Sequence, residues 1–266
     1  MIVFRSILAG LLLFPSLGIG GEPVIRVDAN GFNSPQEDIT KICQSAATEL
    51  TRGWKKVPEE KVLVERGKQG PITLDQRNAQ GETVVRLDTE GTFWAQYAYQ
   101  FSHELCHVMA DSRKRERKHL WFEETLCETA SLYCLMKMDT AWRTEAPYPN
   151  WKSFAPNLGD YARKVMLGRE YYTEIIKTGL PAFYQSHRER LENEPCDREL
   201  NGAMAIILLG RLENEPQHWE AVKWLNATPM GEDKSFAAHL KRWHDAVPEE
   251  HRGFVTNLAA LYGIVL

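Results

Sequence analysis

Residues 103–107 read His-Glu-Leu-Cys-His. On a helix, residues four apart share a face, with Cβ atoms about 5–6 Å apart. Two imidazoles placed in this way can grip one zinc ion. The acid beside the first of them can reach a water on that ion and take its proton. His103 and His107 are therefore candidate ligands, and Glu104 is the candidate general base. The pentapeptide also arises by chance, and two histidines can be ordinary core or surface residues, so the surroundings must carry the reading.

The surroundings suit a buried helix. Phe93, Trp94, Tyr97, Phe101, Leu105 and Val108 give the stretch an apolar stripe. A second apolar helix follows and carries acids: Trp121-Phe122-Glu123-Glu124-Thr125-Leu126-Cys127-Glu128. Glu124 and Glu128 are four apart and share a face. An isolated carboxylate buried there would be costly, and a metal with its histidines relieves that cost. Glu124 is the expected third ligand, with Glu123 and Glu128 as rivals. Glu128 is expected to accept the N–H of a liganding histidine and so fix its tautomer. Three protein ligands leave one position for water, the pattern of a catalytic zinc. Cys106 lies off the ligand face and reads as packing.

An HExxH followed by a W-x-x-E-x-x-x-E helix resembles the gluzincin metallopeptidases, the thermolysin-like clan, over about residues 83–135. The strand at Val84–Asp88 also resembles the clan's edge strand, which pairs with an extended peptide. The resemblance implies a zincin-like fold, one zinc per chain and a peptide or protein substrate. It further implies a Tyr or His that stabilises the oxyanion. His119, Tyr161, Tyr171, Tyr172, Tyr184 and His187 are candidates, and no motif chooses among them. The chain departs from the clan at Thr125 and Cys127, where many members have Gly and Ala. The Gly-x-Met-x-Asn signature of the aminopeptidase branch is absent. Metzincins need Gly and His where this chain has Ala110 and Arg113.

The elements that must position these residues follow from periodicity and punctuation. Val24–Asp28, Val62–Glu65, Pro71–Asp75 and Thr83–Asp88 read as short strands. Ser34-Pro35-Gln36-Glu37 reads as a capping box with Pro at the first helical position. The helix behind it places Ile39, Ile42, Cys43, Ala46, Ala47 and Leu50 on one stripe. Further helices are expected over about 92–111, 118–138, Asn201–Leu212, Gln217–Leu225 and Lys234–Ala246. Residues 139–160, with Pro147, Pro149 and Pro156, read as an irregular connector. The hexamer RLENEP occurs twice, at Arg190–Pro195 and Arg211–Pro216, without a surrounding repeat. The expectation is an α+β fold. A small antiparallel or mixed sheet packs on the HExxH helix over residues 22–140, and 141–266 form a helical lobe of the same catalytic unit.

Residues 1–21 have the layout of a secretory signal peptide: Arg5, an apolar run from Ile7 to Phe14, then small residues. The run is too short for a span of about 20 residues, so a secreted or periplasmic protein with no stable membrane span is expected. The short stretch between this signal and the strand at Thr83–Asp88 argues against a long inhibitory pro-segment. The 266 residues are 43% hydrophobic and 26% charged, which excludes disordered and collagen-like classes. Lys plus Arg is 32 and Asp plus Glu is 36, a net charge of −4, and this excludes the basic excess of nucleic-acid binders. The basic run Arg113–His119 reads as a solvated loop. Five cysteines are too few for a disulfide scaffold, and Cys106, Cys127 and Cys134 read as buried thiols within helices.

The sequence therefore points to an exported zinc peptidase with Glu104 as general base. The alternatives are a catalytically weak or inactive zincin-like binding module, or a zinc hydrolase of a non-peptide amide or ester.

Overall fold

A computed structural model describes residues 23–115 and 117–266. The signal-peptide reading of residues 1–21 lies outside the described residues. The fold is α+β, with a small mixed sheet and a predominance of helix.

The sheet contains β1 (Val24–Val27), β2 (Lys61–Arg66), β3 (Ile72–Thr73) and β4 (Thr83–Leu87), in the order β1-β2-β4-β3. β1 and β2 run parallel, as do β2 and β4, while β3 is antiparallel to β4. Val62, Leu63 and Val64 of β2 are buried in succession, which is how a central parallel strand covered on both faces reads. The expected edge position of Val84–Asp88 is not what forms. β4 lies inside the sheet, and Ile72 and Thr73 pair with Arg86 and Val85 to make β3 the edge.

Helix α1 (Gln36–Thr51) crosses from β1 to β2 and buries all six residues of its expected stripe. Its start differs from the capping box: the helix begins after Pro35 and no side chain caps it. Glu37 and Asp38 still place negative charge against the positive end of the helix dipole. Helix α2 (Trp94–Met109) packs on α1, on β3 and β4, and on α3 (Leu120–Glu145).

Helix α3 is 26 residues long and is buried around most of its circumference by α1, α2, α4 (Ala155–Leu167) and α7 (Arg198–Leu212). It runs past the expected end at 138 and through residues 140 and 141, so it belongs to both halves of the chain. The irregular connector expected over 139–160 is likewise replaced by the end of α3, a 3₁₀ segment at Pro149–Phe154 and the start of α4. Pro149 and Pro156 sit in first turns, where a missing N–H costs nothing, so they start helices there. Trp142 stacks on Trp151 with ring centroids 5.4 Å apart and fastens this segment to α3.

The chain continues through α5 (Tyr172–Thr178), α6 (Leu180–Asn193), α7, a 3₁₀ segment at Pro216–Trp224, α8 (Phe236–Ala246) and α9 (Glu249–Leu261). Phe236 of α8 lies 4.7 Å from Trp121 and 5.1 Å from Phe122, ring centre to ring centre, and Tyr184 and Tyr262 close round them. Aromatic clusters of this kind combine large buried area with preferred ring geometry. This one clamps the first turn of α3, immediately before Glu123 and Glu124. The basic run forms two 3₁₀ turns, Ser112–Lys114 and Arg117–His119. Arg113 and Lys114 are solvated against Asp111, and His119 is buried.

Among the described residues no disulfide forms: Cys43, Cys106, Cys127 and Cys134 are buried thiols and Cys196 is exposed. No described helix is long and apolar enough to cross a membrane.

Candidate metal centre

Helix α2 presents His103 and His107 one turn apart, with ring centroids separated by 5.1 Å. Helix α3 packs alongside and places Glu124 between them. Its Oε2 is 3.1 Å from His103 Nε2 and its Oε1 is 3.4 Å from His107 Nε2. The three residues expected to share an ion therefore converge, one carboxylate oxygen facing each imidazole.

The other nitrogen of the His107 ring is held from behind. His107 Nδ1 lies 2.6 Å from Glu123 Oε1, and Asn226 donates to the other Glu123 oxygen at 2.8 Å while also reaching the Ala110 carbonyl. Glu123 accepts from Nδ1, so the Nε2 lone pair of His107 is left pointing at Glu124. A proton on Nε2 or a cation between the two atoms reconciles this nitrogen with the carboxylate. Bonds of about 2.0–2.1 Å to nitrogen and 2.0–2.2 Å to oxygen give a tetrahedral N···O edge of ~3.4 Å. The observed 3.1 and 3.4 Å are close to that edge, each measured to a different oxygen of the one carboxylate.

Electrostatics agree with geometry. Burial opposes a charge on His107, yet its bonds to Glu123 and Glu124 outweigh this and raise its pKa well above the usual value. Desolvation likewise resists ionisation of Glu124, and the two imidazoles overcome it to hold the carboxylate well below the usual range. The pocket is built for positive charge.

Glu128 takes a different place from the one expected. Its Oε2 is 3.8 Å from His103 Nδ1, too far for a hydrogen bond. Its Oε1 instead accepts from Tyr99 and from Arg169, each at 2.5 Å. Arg169 also donates to Glu199. The tight histidine–carboxylate pair is thus His107–Glu123, and Glu128 anchors a Tyr–Arg network beside His103. The i, i+4 logic could not find Glu123, because it lies about 100° round α3 from Glu124 and meets His107 only through the crossing of α2 and α3.

A thiol lies close as well. His103, His107 and Cys127 offer ligand atoms within 4.8 Å of one another, so this trio could also hold a metal ion. Cys127 is fully buried, and burial together with Cys106 pushes its thiol well above the usual range. The sequence offered it as a buried thiol within a helix and a departure from Ala, not as a ligand.

Glu104 is almost fully buried, and Thr73 Oγ1 of the edge strand donates to its Oε2 at 2.8 Å. His103, Glu104, His107 and Glu124 all border one cleft of about 550 Å³, with β3 on one side and the start of α7 on the other. Of the six oxyanion candidates, only Tyr161 lines it. Its ring packs edge-on against Tyr99, and burial followed by the Glu128 charge raises its pKa, so it keeps its proton at neutral pH. His119 stacks on His239 in the aromatic cluster, Tyr184 stacks on Trp121, and Tyr171 and His187 pack together with Phe183. Three arginines that sequence reasoning did not single out, Arg115, Arg169 and Arg198, also face the cleft.

Comparison of the chain with protein-family models, with curated proteins and with solved structures returned no match.

Proposed function

We propose that the chain is an exported zinc-dependent hydrolase of gluzincin type that cleaves peptide bonds. One observation carries the reading. Two imidazoles each face an oxygen of one carboxylate, at 3.1 and 3.4 Å, in the lining of a cleft that Glu104 also borders. His103, His107 and Glu124 would hold the ion. Bound zinc supplies a polarised carbonyl and a water whose pKa falls to about 7.

The remaining work falls to the chain. Glu104 takes the proton of the attacking water and passes it to the leaving nitrogen. Thr73 holds the Glu104 carboxylate through one oxygen and leaves the other for that transfer. Glu123 and Asn226 lock the His107 ring, and Glu128 holds Tyr99 and Arg169 beside the cleft. Tyr161 is the phenol in position to donate to developing negative charge. The exposed edge strand β3 offers backbone groups to an extended peptide. The Cys196 thiol is not the nucleophile: burial and Glu124 push it up to about 11, so it stays protonated near neutrality.

Cys127 supports a second reading. A His103–His107–Cys127 site would hold a metal at a buried thiol away from the cleft, as in a non-catalytic binding module. Glu124 is the better third ligand because its oxygens face both Nε2 atoms and the cleft, whereas Cys127 does not border the cleft. The test is metal content and peptide cleavage of the purified mature protein. One zinc per chain with chelator-sensitive cleavage is expected. Full zinc occupancy with no cleavage across a broad peptide library would favour the binding module.

A further inference from the structure

Of the three arginines that face the cleft, two are matched within the chain. Arg169 donates to Glu128 and to Glu199, and Arg115 lies 3.4 Å from Asp75. Arg198 takes part in no ion pair among the described residues. Its backbone is fixed at the start of α7, because the preceding Asp197 accepts the N–H groups of Glu199 and Leu200 and pairs with Arg190. From there the guanidinium crosses the cleft. Its Nη2 comes within 3.7 Å of the point where a Cβ on Gly70 would sit, just before β3.

A peptide laid along β3 must pass this guanidinium. A neutral chain that covers it removes its water without supplying a partner, whereas a carboxylate supplies a charge-assisted, bidentate hydrogen bond. Thr73, bonded to Glu104, marks the reacting position along the strand, and Gly70 comes three residues before it. At about 3.3 Å per residue, the guanidinium stands ~10 Å along the strand from that position. We propose that Arg198 is a specificity-determining residue, and that the cleft selects peptides carrying a carboxylate within about three residues of the cleaved bond, on the Gly70 side; this rests on the peptidase reading above. An Asp or Glu side chain and a free C-terminus both supply that group. Arg115, at the other end of β3, is already answered by Asp75 and does not make the same demand.

The experiment reads binding apart from turnover. Zinc-loaded Glu104→Gln protein is titrated into fluorescent alanine–serine hexapeptides, and anisotropy gives Kd. One Glu, Gln or Lys is walked through the peptide, each with a free or an amidated C-terminus. Carboxylate peptides should bind about tenfold tighter than their amide counterparts, the lower end for a hydrogen bond to a charged group because Arg198 is exposed. The preference should disappear when Arg198→Gln is added and turn toward Lys with Arg198→Glu, with the circular dichroism unchanged. A preference that follows Glu assigns the carboxylate to a side chain, and one that follows the free C-terminus assigns it to the chain end. Equal binding of acid and amide peptides, or a preference that survives Arg198→Gln, overturns the proposal. Cleavage of the same peptides by the parent judges the peptidase reading separately. Cleavage with no acid preference removes the role of Arg198 and leaves the peptidase. An Arg198-dependent preference with no cleavage removes the peptidase and leaves a carboxylate-binding cleft. If no peptide binds, both fall.

Discussion

Replacing Glu123 with Gln changes one atom at the back of His107 and leaves every residue facing the cleft in place. Glu123 accepts on both sides: from His107 Nδ1 at 2.6 Å and from Asn226 Nδ2 at 2.8 Å. A Gln has one oxygen and one amide, so it can satisfy only one of these partners. With its oxygen toward His107, its NH₂ meets the NH₂ of Asn226, and two buried donors face each other. With its amide toward His107, Nδ1 must become the acceptor. The proton then sits on Nε2, and the lone pair needed for a metal is gone. Either orientation leaves a buried group unmatched at a cost of about 1–3 kcal/mol. Losing a carboxylate behind a metal-bound histidine typically weakens the metal 10–100-fold, and the two estimates agree.

The measurement is a competition titration of the purified protein against a chromogenic zinc chelator at fixed pH, with circular dichroism to verify the fold. Glu123→Gln should retain a stoichiometric site with a Kd roughly 10–100-fold higher than the parent. Glu124→Ala removes a ligand outright and should lose more than that. Equal affinity for Glu123→Gln and the parent would refute the tautomer argument. Equal loss in both variants would show Glu123 acting as a ligand itself.

Glu104→Gln should bind zinc as the parent does and slow peptide cleavage by about 10²–10⁴-fold, as measured by turnover at saturating metal. Gly202→Ala is expected to disturb Glu128 at a distance. A Cβ there would lie 2.2 Å from Arg169 Nε, so the guanidinium must leave its bonds to Glu128 and Glu199, and kcat/KM should fall about tenfold with the helix content unchanged. Burial depresses His119 to about 4 and His239 to about 3, so the unfolded chain binds protons first as pH falls below about 6.5. Stability from this pair is therefore complete above pH 6.5 and lost toward pH 4. His119 alone costs roughly 3 kcal/mol across that window. Urea midpoints measured from pH 7 to 4 should drop steeply in the parent and flatten in His119→Leu/His239→Leu; parallel curves would reject the assignment.

Much of the positioning frame was legible because it depends on local periodicity. The stripe of α1 was readable from Ile39 to Leu50, and so was the shared face of His103 and His107. The Pro-rich stretch misled because proline ends helices and also starts them, and only packing such as Trp142 on Trp151 decides which. The edge strand was expected at Val84–Asp88 on a resemblance to a substrate-pairing strand, not on any pattern in the run itself. The strand expected over Pro71–Asp75 forms at Ile72 and Thr73, and only its pairing with β4, which no local pattern specifies, makes it the edge. The cleft depends still more on distant chain. Asn226, Arg169 and Cys196 reach the site from three different elements, and no spacing rule links them to the HExxH helix.

Three carboxylates within six residues of α3 would be an expensive way to fill a helix interior. Each is made tolerable by a different partner. Glu123 is absorbed by His107 and Asn226, and Glu128 by Tyr99 and Arg169. Glu124 faces two imidazoles, each aimed at it through Nε2. A buried carboxylate backed only by lone pairs is unfavourable unless a proton or a metal lies between them. The two occupants leave different signatures. Protons would make the cluster a pH-dependent structural pair indifferent to chelators, and zinc would make its stability rise with metal concentration. A melting temperature that increases with added zinc in the parent and not in Glu124→Ala identifies the ion as the occupant. A chelator-insensitive parent would identify the proton.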